Sequence, residues 1–287
     1  MIAHVASSGE DSGRVVLQLG SRTPSAVALS AAIRIARAFQ SEIESLFVEN
    51  EQLLDCTSFS FVREVSLTGR WLRTVSREEM AFGLRLAAND ARRQVERLAR
   101  QADVPLRSRV VRDEPLRAIS VACAETGPWN VVVLAEPISP GDGGFLKQLM
   151  LEIDGTTGLG VVGPKAQRCS GPAIVAVEDT ERLPGMLTTA ERVAALDSGS
   201  IVLLLVATRE DQLAQMEGEA RLVVGGREDV RIALAEIDRG EAAVMAETLR
   251  RLRGGFVIGQ YGGLLVPDEG DLRPLLAALE CPLLLVR

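Results

Sequence analysis

Apolar residues recur along this chain in two alternating patterns. Some form short continuous runs, and others stand three or four residues apart over longer stretches. The runs at residues 14–19, 42–48, 106–111, 130–134 and 158–163 read as buried strands. Between them, residues 25–39 read as an alanine-rich helix, with Thr23 as cap and Pro24 at the first helical position. Ser76 and Glu79 form a capping box, and Met80, Leu84, Ala91, Val95 and Leu98 follow at helical spacing, so an amphipathic helix is predicted to run to about Ala102. Shorter helices are predicted at 116–125 and 145–153. The order then repeats, with strands at 173–177, 201–206, 230–234, 256–258 and 282–286 and helices at 187–196, 210–223, 241–252 and 271–279.

The repeat is closest where Asp113 through Val131-Val132-Val133 parallels Asp238 through Phe256-Val257-Ile258. Strands alternating with helices through short connections predict the α/β class, as two tandem five-stranded parallel sheets flanked by helices. The length of 287 residues suits two domains at about 150 residues each. The predicted division is a tail at 1–13, a first domain at 14–166 and a shorter second domain at 172–287, with a polar boundary between Pro164 and Pro172. The first domain carries an insertion at 51–75 that holds Phe59, Phe61 and Trp71. It follows the second strand, on the ligand-binding side of such a sheet, and either packs as an ordinary loop, covers the cleft or offers a docking surface.

Composition narrows the function. Acidic residues outnumber basic ones by 39 to 32, which argues against nucleic acid or an anionic membrane as the main partner. Aromatics make up 3%, too few for a base-stacking platform. The apolar runs fall short of the about 20 residues that cross a bilayer. The first residues lack the basic and apolar regions of a signal peptide, so a cytoplasmic location is expected. The lone histidine, His4, stands in the polar tail, and Cys56, Cys123, Cys169 and Cys281 form no C-x-x-C pair. Neither a zinc site nor imidazole catalysis is expected, and no G-x-S-x-G or S-x-x-K motif supplies a nucleophile.

The segments RVVLQLGSRTPSAVALSAAIRIARAFQSEIESLFVE and VVRDEPLRAISVACAETGPWNVVVL in the first half resemble the universal stress protein family. So do PAIVAVED, IDRGEAAVMAETLRRLRGGFVIGQYGG and CPLLLVR in the second, which makes the resemblance a tandem two-domain one. It implies the parallel sheet of the wider adenine nucleotide alpha hydrolase-like group. Some members bind ATP, and others only dimerise or act as signalling adaptors. Pairing through the last strand is common among them, and here would join residues 158–163 to 282–286 within one chain, burying two sheet edges.

The resemblance also implies where a nucleotide would sit, between the first and fourth strands where strand order reverses. ATP-binding members carry an aspartate after the first strand. After the fourth they carry G-x-x-G, then nine residues and Gly-Ser or Gly-Thr. Glycines let phosphate reach backbone N–H groups, and the helix N-terminus favours the anion. The second half keeps Asp179 and Gly259-Gln260-Tyr261-Gly262, but Leu272-Arg273 stands in place of Gly-Ser. Gly259 and Gly262 are either turn glycines or a loop for ATP or AMP. The first half has Gly20 for the aspartate and Leu134 and Pro137 for the glycines, so it is not expected to bind ATP. Its Gly141-Asp142-Gly143-Gly144 reads as a turn or an anion loop that Asp142 disfavours. Gly158-Leu159-Gly160-Val161-Val162-Gly163 matches G-x-G-x-x-G by letter, but it reads as a strand and not as a strand-to-helix turn.

The expectation that follows is a non-catalytic signalling or adaptor protein that works through a protein partner or a second copy of itself. The alternative is an ATP or AMP sensor using Asp179, Gly259 and Gly262 alone. A nucleotide hydrolase is the third reading.

Overall fold

A computed structural model of the chain describes residues 13–66, 68–125, 129–136, 143–153, 156–197, 199–237, 242–266 and 272–287. The expected tail with His4, and Pro137, Gly141, Asp142 and Asp238, lie outside the described residues.

The chain opens with β1 (Arg14–Leu19), α1 (Ala26–Ala38) and β2 (Ile43–Asn50). The insertion contributes α2 (Glu51–Cys56) and a small hairpin of β3 (Glu64–Val65) and β4 (Leu72–Arg73). Then come α3 (Arg77–Gln101), β5 (Leu106–Asp113), α4 (Pro115–Ala124), β6 (Asn130–Leu134), α5 (Gly143–Glu152) and β7 (Thr156–Val161). The second half runs β8 (Ala173–Val177), a short 3-10 turn at Thr180–Arg182, α6 (Leu183–Ala194), β9 (Ile201–Ala207) and α7 (Glu210–Val224). It ends with β10 (Val230–Glu236), α8 (Ala242–Arg251), β11 (Phe256–Gln260), α9 (Arg273–Ala278) and β12 (Leu283–Val286).

Local chemistry sets these boundaries. The Ser76 hydroxyl accepts from the Glu79 N–H, and the Glu79 carboxylate accepts from the Ser76 N–H, so the capping box starts α3 where expected. The start of α1 differs from expectation: Ser25, not Thr23, is the cap, with extended backbone and its hydroxyl facing the Ala28 N–H. Pro24 therefore precedes the helix and does not open it.

The expectation of two separate sheets is corrected. The strands form one sheet of ten, in the order β10-β9-β8-β11-β12-β7-β6-β1-β2-β5. Each half contributes five parallel strands, and within this sheet the sole antiparallel junction among the described strands is β12 with β7. There Leu283 faces Val161 and Val286 faces Gly158. Fusion removes the two exposed edges that separate sheets would leave, so the backbone groups of the last strands bond each other and not water. One apolar layer, under α1, α3, α6 and α7, runs across both halves, and a second runs across both under α4, α5, α8 and α9.

The glycines of 158–163 serve this seam. A Cβ at Gly160 would stand 3.0 Å from Val133 Cγ2 and 3.5 Å from Ile35 Cδ1, so the bare backbone lets α1 lie close over β7. A Cβ at Gly163 would strike the Leu276 carbonyl oxygen of α9 at 1.7 Å.

Candidate functional site

In each half the strand order reverses beside the first strand, between β8 and β11 and between β1 and β6. In the second half, β8 is followed by Glu178-Asp179. Asp179 is partly exposed and caps the 3-10 turn, its carboxylate accepting from the Glu181 N–H at 2.9 Å with Arg182 4.0 Å away. Glu178 turns the other way. Its carboxylate accepts from the Leu264 N–H and, at 2.8 Å, from the Leu265 N–H. Burial pushes the Glu178 carboxyl above the usual carboxylate range, and the two amide hydrogen bonds pull it partly back.

The loop after β11 folds around this carboxylate. Gly262 adopts φ +85, a left-handed turn position that favours glycine, and its N–H donates to Val266 at 2.8 Å. A Cβ at Gly263 would meet Glu178 Oε2 at 2.1 Å. Gly259 lies within β11, where a Cβ would stand 2.9 Å from Leu265 Cδ2, so its bareness admits the folded-back Leu265. Gly259, near the end of β11, and Gly262, in the loop after it, thus both shape one loop, and the group that loop's amides hold is Glu178. Leu272, at the position expected for Gly-Ser, is buried in the second apolar layer.

The first half shows the reverse arrangement. Glu136, just beyond β6, accepts from the Arg22 N–H at 2.9 Å and from Arg22 Nε at 2.5 Å. It lies over Gly20, where a Cβ would stand 2.5 Å from Glu136 Oε1, so an aspartate there would collide with a carboxylate. A cavity of about 300 Å³ opens beside this pair, with Gln18, Asn50, Val48 and Phe145 in its wall. Phe59, Phe61 and Trp71 do not line it. They are exposed, Phe61 to 78%, and Phe59 stacks on Phe61 with ring centroids 5.5 Å apart.

Both clefts therefore hold an internal carboxylate on backbone amides at the place where the family resemblance implies a phosphate. Glu178 and Glu136 were missed from sequence. The available signal was a glutamate at the exact end of an apolar strand, Val177-Glu178, next to the glycine-rich loop. Among the described residues no group of three or more His, Cys, Asp or Glu is placed to hold a metal. Burial raises the Cys123 and Cys169 thiols to about 11 and that of Cys281 to about 12, so all three stay protonated near neutrality. No described helix is long and apolar enough to cross a membrane.

No protein-family model and no curated protein matches this sequence. Solved structures do match in shape. A universal stress protein from Archaeoglobus fulgidus aligns over 95% of this chain and 96% of its own, at 10% identity and a TM-score of 0.63. A putative universal stress protein from Pseudomonas aeruginosa aligns over 95% and 92%, at 15% identity and 0.57. The cytoplasmic domain of a prokaryotic cation chloride cotransporter aligns over 96% and 95%, at 9% identity and 0.54. The chain has the tandem universal stress protein fold.

Proposed function

We propose that this chain is a cytoplasmic member of the universal stress protein family that works as a non-catalytic adaptor, without a bound nucleotide. The observation that carries this reading is the pair of internal carboxylates. A phosphate entering the second-half loop would have to displace Glu178 from Leu264 and Leu265, and like charges repel. The first-half loop would have to release Glu136 from Arg22 in the same way. A protein-facing surface is available instead on the insertion and the adjoining turns of α3. Phe59, Phe61, Val65, Trp71, Leu72 and Phe82 are all exposed, Phe59 stacks on Phe61 and Val65 pairs with Leu72, and exposed apolar groups that cluster mark contact sites.

Calorimetric titration with ATP, ADP, AMP and cyclic nucleotides tests the reading. The expected result is no binding heat from any of them. Saturable binding of one ATP or AMP per chain, abolished by Gly262→Glu, would overturn it in favour of a second-domain sensor built on Asp179, Gly259 and Gly262. Turnover of any nucleotide would overturn it in favour of a hydrolase.

A further inference from the structure

The insertion and the first turns of α3 line a second cavity, of about 490 Å³ and open to solvent. That volume lies in the range of small-molecule pockets, about 300–1,000 Å³. Its apolar wall is made of Leu53, Val62, Val75, Met80 and Leu84. Three of these belong to a small apolar cluster apart from the two main layers: Leu84 packs with Leu54 and Ala81, and Leu53 and Met80 lean against them. The cavity therefore adjoins a satellite core.

The charged groups around the cavity are unequal. Arg73 is neutralised by Glu64 at 2.5 Å and by Glu79 at 3.6 Å, and Glu79 also holds the Ser76 N–H at 3.2 Å. Arg63 is different. Its guanidinium donates to the carbonyl oxygens of Ser60 at 2.6 Å and Val62 at 3.1 Å, and no carboxylate of the described residues lies within ion-pair distance. A guanidinium has five donors in a planar fork that matches a carboxylate, so most of its capacity is left for a ligand. Glu64 and Glu79 on the same rim disfavour a second negative charge.

We propose that this cavity binds a small monocarboxylate with an apolar chain or ring. The apolar body lies against Leu53, Val62, Val75, Met80 and Leu84, and the carboxylate pairs with Arg63. The site is distinct from both switch-point clefts and stands whether or not the adaptor reading does.

Titration of the full chain with octanoate, 1-octanol and octylammonium tests it. Octanoate is expected to bind about tenfold more tightly than 1-octanol, as one charge-assisted hydrogen-bonded pair would provide. Octylammonium should bind more weakly than either. Arg63→Gln should bring octanoate down to the level of 1-octanol and leave 1-octanol unchanged. Gly83→Phe should abolish binding of all three, because Gly83 lines the cavity and a Cβ there meets nothing within 4 Å. Removing a helical glycine favours α3, so this variant should melt no lower than the wild type. Nuclear Overhauser contacts from the octanoate methyl to the Met80 methyl in the wild type provide a readout that needs no variant. Equal affinities for octanoate and 1-octanol, octanoate binding unchanged in Arg63→Gln, survival of binding in Gly83→Phe, or absence of the Met80 contacts would each overturn the proposal.

Discussion

The two halves share one strand order and differ in what they bury. Among the described residues, the buried polar and charged ones are Arg14, Ser41, Glu44, Ser45, Glu49, Asn130 and Thr156, and all stand in the first half. In the second half β8 and β9 are buried from end to end and wholly apolar. The switch-point clefts differ in the same methodical way. In the first, an acid beyond the fourth strand holds an amide after the first strand; in the second, an acid after the first strand holds amides beyond the fourth. The topology thus depends on apolar strands and their spacing, and not on the polar interior. Either loop can supply the carboxylate that satisfies the other's amides.

The sharpest way to break this contrast is at Arg14 and Glu44. Both are essentially inaccessible, at 1% and 0% exposure, and they form an ion pair. Arg14 also donates to the Ala122 carbonyl at 2.7 Å, and Arg109 lies 3.7 Å from Glu44. Glu44→Leu leaves a buried guanidinium without its counter-charge and should cost about 3–5 kcal/mol. Adding Arg14→Met removes the other buried charge and should recover most of the loss. Urea denaturation midpoints of the two variants and the wild type measure both steps. A loss of less than about 1 kcal/mol for Glu44→Leu would mean the pair is not buried.

The seam gives a smaller effect that tests what joins the halves. At Gly163 an added methyl meets the Leu276 carbonyl oxygen of the other half at 1.7 Å, whereas at Gly158 the nearest atom stands at 3.3 Å. Gly163→Ala should therefore cost about 1–3 kcal/mol by overpacking, and Gly158→Ala distinctly less. Melting curves of the two variants rank them. The opposite ranking would place the close approach elsewhere.

What could be read from sequence follows the range of the interaction. The strands of both halves, the capping box at Ser76 and the span of α3 rest on neighbours a few residues apart, and pattern alone locates them. Pairing of residues 158–163 with 282–286 followed from the family resemblance, but its consequence, a single continuous sheet, did not: apolar strands read the same beside any neighbour. The role of Glu178 was equally hidden, because its amide partners lie 86 and 87 residues away and the side chain could as easily have capped the next turn, as Asp179 does. The insertion left three readings open. Its aromatics could have packed as an ordinary loop, covered the cleft or offered a docking surface; Phe59, Phe61 and Trp71 are exposed and do not line the cleft, while Leu53, Val62, Val75, Met80 and Leu84 line a separate cavity.

The smallest expected effect bears on the second cleft and has a definite sign. Burial raises the Glu178 carboxyl in the folded chain above its value in the unfolded one, and the amides of Leu265 and Leu264 oppose this without cancelling it. A carboxyl with a raised folded pKa favours folding when protonated. Its contribution is fully present below the unfolded value of about 4.3 and is lost as pH rises through the folded value. Each unit of displacement is worth about 1.4 kcal/mol. Glu178→Gln keeps one acceptor for the loop amides and does not titrate, so subtracting its stability removes the other carboxylates from the comparison. The wild-type minus variant difference should fall as pH rises above about 4 and level off once Glu178 is ionised. Melting temperatures of both proteins measured from pH 4 to 7 give this curve. A flat difference would mean that Glu178 is solvated rather than enclosed by the loop. A difference that grows with pH would mean that the amides outweigh burial, which makes the second-half loop a stronger anion cradle than its present occupant suggests and reopens it to phosphate.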